Sequence, residues 1–108
     1  MSTRANIKVT DEFGCEFWYY KHYDGDPEGT MPILNKFLDL VKSGKLRDNC
    51  NQACGWLIVL GTEEDGYEAD YNKDWKVGAI EPTDRQHGDI EYLYTISLDK
   101  KTIIIEKV

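Results

Sequence analysis

The chain has 108 residues, 13 basic against 20 acidic, for a formal charge of −7. That length suits one domain able to bury a core of its own without disulfides or metal. The negative charge opposes direct nucleic-acid binding, whose affinity comes from cations neutralising phosphates. Aromatic residues at 12% and hydrophobic residues at 41% exclude a disordered chain. No run of 18 apolar residues occurs, which excludes a helical membrane span. The first residues carry no apolar leader and the three cysteines, Cys15, Cys50 and Cys54, are odd in number, so reduced thiols and a cytoplasmic setting are expected.

Ile7 and Val9 alternate with Lys8 and Thr10, and Cys15, Phe17 and Tyr19 alternate with Glu16, Trp18 and Tyr20. Two strands about residues 11–14 are predicted, with Gly14 in the left-handed position of the turn. The second strand is aromatic on both faces, so its outer face is expected to be covered or to offer a binding surface.

The run of residues 19–29, YYKHYDGDPEG, holds three tyrosines, His22, three carboxylates and two glycines between a strand pattern and a helix pattern. Its second half matches the opening of a calcium loop, but the twelfth position is Asn35 where a bidentate Glu belongs. A turn rich in helix-N-terminal acids is the better reading.

Thr30 is predicted to cap a helix with Pro32 in its first turn, an apolar stripe of Ile33, Leu34, Phe37, Leu38 and Val41, and Gly44 at its end. Asp48 is then predicted to cap a second helix, with Cys50, Ala53, Cys54, Leu57, Ile58 and Gly61 at helical spacing, although residues 56–60, WLIVL, also suit a buried strand. Cys50 and Cys54 share a helix face as small buried hydrophobes, because structural zinc prefers closer knuckles and two further ligands.

Residues 62–74 follow as an acidic loop, with six carboxylates against Lys73. A run of charge is ordinarily a solvated loop, yet Tyr67 and Tyr71 among Glu63, Glu64, Asp65, Glu68 and Asp70 resemble an interface aimed at a basic partner. Residues 75–81 read as a strand stopped by Pro82, residues 90–98 alternate cleanly, residues 99–101 turn, and residues 102–108 form a last strand. The order is ββααβββ. The expectation is a single α+β domain over residues 1–108, with an antiparallel or mixed sheet and both helices packed on one face.

The opening STRANI, the run YKHYDGDPEG at residues 20–29, and the late WKVGAIEP at 75–82 with HGDIEY at 87–92 resemble a family of small uncharacterised phage and prophage proteins. That resemblance implies a context: small acidic phage proteins often bind and disable host proteins, anti-CRISPR proteins among them. No activity and no site residue comes with it.

His22 with Asp24, and His87 with Asp89, each precede or join an acid-glycine element at a strand end. If those ends meet, two imidazoles and two carboxylates converge, suited to a divalent metal or to acid–base work, with Tyr20 and Tyr92 as walls. Two functions therefore stand: a non-enzymatic protein that engages and inhibits a host protein with a basic surface, or a small-ligand or metal-binding protein or small hydrolase. The first is preferred, since no nucleophile elbow, phosphate-binding glycine loop or zincin helix occurs. For both, the loops containing His22 and Asp89 are predicted at the same end of the sheet.

Overall fold

The structure is a computed structural model that describes residues 3–22, 24–48, 50–64 and 80–108. The described elements are β1 (Ala5–Thr10), β2 (Glu16–Lys21), α1 (Pro27–Lys42), α2 (Cys50–Glu64), β3 (Glu81–Thr83), β4 (Tyr92–Ser97) and β5 (Thr102–Lys107). The fold is α+β in the expected order, and the sheet is mixed, running β3-β2-β1-β4-β5. β1 pairs with β4 in parallel, whereas β1–β2, β2–β3 and β4–β5 are antiparallel.

Register explains the two faces. Ile7 lies between Tyr19 and Tyr94, and Val9 between Phe17 and Ile96, so the odd residues of β1 and β2 share a face with the even residues of β4. Ala5, Ile7, Val9, Tyr19, Tyr94 and Ile96 pack there in one core with the buried stripe of α1 and with Cys50, Ala53, Cys54, Leu57 and Leu60 of α2. Both helices thus cover one face. Buried hydroxyls on that face are bonded to backbone: Tyr19 Oη donates to Cys54 O at 2.7 Å and Tyr94 Oη to Gly25 O at 2.7 Å. Burial pushes both phenols up, Tyr94 to about 12.

Helix α1 starts a turn before the expected cap. Asp26 is the N-cap and Pro27 follows it, because the Asp26 carbonyl accepts from Gly29 and Thr30 N–H. Thr30 sits inside the first turn instead, fully buried, its hydroxyl donating to Asp24 O at 2.9 Å. The second helix is a helix and not a buried strand, and Asp48 does not take the capping bond at its start. The amide of Cys50 donates to the Asp11 carboxylate at 3.2 Å, which also accepts from Phe13 and Cys15 N–H in the β1–β2 turn. Burial acts to raise the Asp11 carboxyl, but those three amide bonds prevail and hold it below its usual value. The turn itself is as expected, with Gly14 at φ 83°.

Pro82 does not stop β3 but lies within it, opposite Tyr19. An edge strand leaves one side unpaired, so the missing N–H costs no ladder bond. Of the strand expected over residues 75–81, residues 75–79 lie outside the described residues. Among the described residues no helix is long and apolar enough to cross a membrane.

Candidate functional site

The even residues of β1 and β2 face away from the helices. Asn6, fully buried there although polar, donates through Nδ2 to Tyr19 O at 2.8 Å and accepts the His87 amide on Oδ1 at 2.7 Å. A side-chain amide placed between two backbone groups binds the loop of residues 84–91 to the sheet. The His87 ring then stacks on Tyr20, centroids 4.2 Å apart and planes 18° from parallel, while its Nε2 lies 2.8 Å from Thr83 Oγ1.

Tyr20 is the centre of the group. Its hydroxyl donates to Asp89 Oδ2 at 2.9 Å and lies 3.1 Å from His22 Nδ1. Arg4, just before β1, brings its Nε to 3.3 Å from His22 Nδ1 and 3.4 Å from Asp89 Oδ2, and its carbonyl accepts from the Glu91 amide at 2.8 Å. Two proton arrangements satisfy these contacts. With Nδ1 bare, His22 accepts from Arg4 and Tyr20 donates to Asp89; with Nδ1 protonated, His22 donates to Tyr20 and Arg4 turns to Asp89. Tyr20 donates to Asp89 in both, and burial, followed by that bond, pushes its phenol up to about 12.

The two loops therefore do lie at one end of the sheet. β2 and β4 are not neighbours, for β1 lies between them, and Arg4 bridges the gap. Both imidazoles contact Tyr20, with centroids 5.8 Å and 4.2 Å from its ring, so they lie no more than about 10 Å apart. His22, His87 and Asp89 converge as expected. Asp24 does not join them: it is exposed, in the left-handed conformation at φ 53°, and serves through its carbonyl, the acceptor for Thr30.

The group differs chemically from the divalent-metal site considered from the sequence. The Tyr20 hydroxyl and the Arg4 guanidinium stand between the imidazoles and the carboxylate, and a guanidinium repels a cation. Among the described residues no cluster of three or more His, Cys, Asp or Glu side chains is arranged to hold a metal. The two tyrosine walls fail as well. Tyr20 pairs with Asn6 on the outer face, whereas Tyr92 pairs with Ala5 on the helix face and stacks on Tyr94 at 6.3 Å. With Tyr20 only 6% exposed, the arrangement is a latch of satisfied polar groups that holds the 84–91 loop over the sheet.

Arg4 and Asn6 were missed from the sequence. Asn6 sits at an even position of a strand whose odd positions are core, and Arg4 just before that strand, where a polar residue reads as solvated. The cue was the aromatic second face of β2, which needs a cover.

Elsewhere on that outer face Lys8 Nζ lies 5.4 Å from the centre of the Trp18 ring. Of the acidic-loop residues, Asp65, Tyr67, Glu68, Asp70 and Tyr71 lie outside the described residues, while Glu63 and Glu64 end α2. On α2, Trp56 is 45% exposed and Val59 42%, whereas Leu57 and Leu60 are buried. No protein-family model matches this chain, and neither a curated protein nor a solved structure matches it.

Proposed function

We propose that this protein is a non-catalytic binding protein that engages a basic surface of a partner protein, as small acidic phage proteins do when they inhibit host factors, anti-defence proteins among them. The observation that carries the reading is the exposed pair Trp56 and Val59 on α2, which in sequence shortly precede the acidic segment of residues 62–74, net −5. A solvent-exposed Trp costs hydration unless a partner covers it, and Trp is the residue most enriched among interface anchors. Carboxylates beside such an anchor select a cationic partner and steer its approach. The converged histidines favour no catalytic reading, since each is engaged in the latch and Tyr20 keeps its proton.

The test is binding to a basic protein captured from a bacterial lysate, measured with the purified pair. Neutralising Glu63, Glu64, Asp65, Glu68 and Asp70 together slows association and flattens its salt dependence. Trp56→Ala instead accelerates dissociation, by about tenfold or more for a buried anchor. Binding that ignores salt and survives both changes refutes the reading.

A further inference from the structure

A basic feature lies at the end of the sheet away from His22 and Asp89, where α1 ends and β4 turns into β5. Five of the 13 cations, Lys42, Lys45, Arg47, Lys100 and Lys101, fall in these two short stretches of a chain whose net charge is −7. Lys42, Arg47 and Lys101 line a cleft of about 300 Å³ whose floor is the core residues Val41 and Leu46, both almost fully buried, with Gly44 beside them and Asp48 as its one carboxylate. Among the described residues neither lysine ammonium has a carboxylate within salt-bridge distance, and Asp48 pairs with none of the three cations. Like charges so gathered repel one another, and an anion relieves that repulsion.

We propose that this cleft binds a small phosphate-bearing anion, its phosphoryl group among Lys42, Arg47 and Lys101. Three details favour an anion there. The end of a helix ordinarily offers bare carbonyls that repel anions, but those of Asp39, Leu40 and Val41 already accept from Ser43, Leu46 and Gly44. Arg47 is pre-positioned, because its amide and its Nε both donate to Gln52 Oε1, at 3.0 and 3.4 Å, leaving its terminal guanidinium nitrogens for a fork-like contact with an oxyanion. Lys101, at φ 56°, is fixed in a turn beside Lys100, whose amide donates to Ser97 Oγ at 3.3 Å. The volume is at the lower end for a small-molecule site and admits no nucleic-acid duplex.

The test uses the full chain and three probes: phenyl phosphate, inorganic phosphate and a short single-stranded oligonucleotide, each followed by amide chemical-shift changes at roughly millimolar probe. Phenyl phosphate and inorganic phosphate are both expected to shift Gly44, Leu46, Arg47 and Lys101. Lys42→Ala with Lys101→Ala is expected to weaken phenyl phosphate binding by about tenfold or more, while Lys101→Arg keeps the affinity and Asp48→Asn raises it. These side chains lie outside the core, so unchanged thermal melting of each variant shows that binding alone was altered. The proposal is overturned if phenyl phosphate moves none of these amides, if the double variant binds it as the parent does, or if the oligonucleotide binds more tightly than phenyl phosphate.

Discussion

Asn6→Ala removes the side chain that joins the 84–91 loop to β1. Two buried or part-buried hydrogen bonds are lost, to Tyr19 O at 2.8 Å and from the His87 amide at 2.7 Å. Each is worth about 1 kcal/mol net, and a backbone group left unpaired beneath the loop costs about 1–3 kcal/mol more. Tyr19 O bears that penalty, since the His87 amide lies nearer solvent and can rehydrate. The expected loss is about 3–5 kcal/mol, seen as a lower urea midpoint at unchanged slope, or about 12–20 °C in thermal melting for a domain of this size. The loop should loosen before the molecule does. Amide exchange at His87 accelerates beyond the global loss, whereas the amides of Val9 and Ile96, deep in the central strands, follow global stability alone. A variant within about 0.5 kcal/mol of the parent, with His87 protection unchanged, refutes the latch.

Gly25→Ala places a Cβ 2.8 Å from Thr3 O and 2.9 Å from both Ala5 N and Ala5 Cβ, two backbone atoms and a Cβ fixed to the backbone, none of which can swing aside, and a loss of about 1–3 kcal/mol in urea unfolding is expected. Tyr20 has a phenol raised from 10.0 to about 12 on folding, so its contribution is complete below pH 10 and is lost as pH rises toward 12. Alkaline unfolding followed by circular dichroism should accordingly lose part of its steepness over that window in Tyr20→Phe, and an unchanged profile contradicts the assignment. Of the three thiols, Cys15 is exposed, while burial pushes Cys50 and Cys54 up. A thiol reagent near neutral pH is expected to modify one cysteine in the folded protein and three in denaturant, and rapid labelling of all three in the folded state counts against the packing of α2.

Local pattern alone determined a good deal. The alternation in β1, β2 and β4, the apolar stripe of α1 and the glycine turn at Gly14 depend on side-chain period and backbone sterics, which act over a few residues and are visible in any single chain. The α+β order followed from them, whereas the shared end of the two histidine loops depended on the strand order. Tertiary structure decided what depends on distant partners. Whether residues 56–60 made a strand or continued a helix turned on packing of Leu57 and Leu60 against the sheet, and the start of α2 was capped by Asp11 from a hairpin 39 residues away. Pro82 could enter a strand only because that strand fell at the edge. His22, His87 and Asp89 met as their strand ends suggested, but Arg4 and the Tyr20 hydroxyl occupy the middle of the group, and Asp24 turned away. A list of ligand-type residues therefore resolved into a latch, because charge and hydrogen bonding among neighbours, which no spacing encodes, decide what a set of side chains can hold.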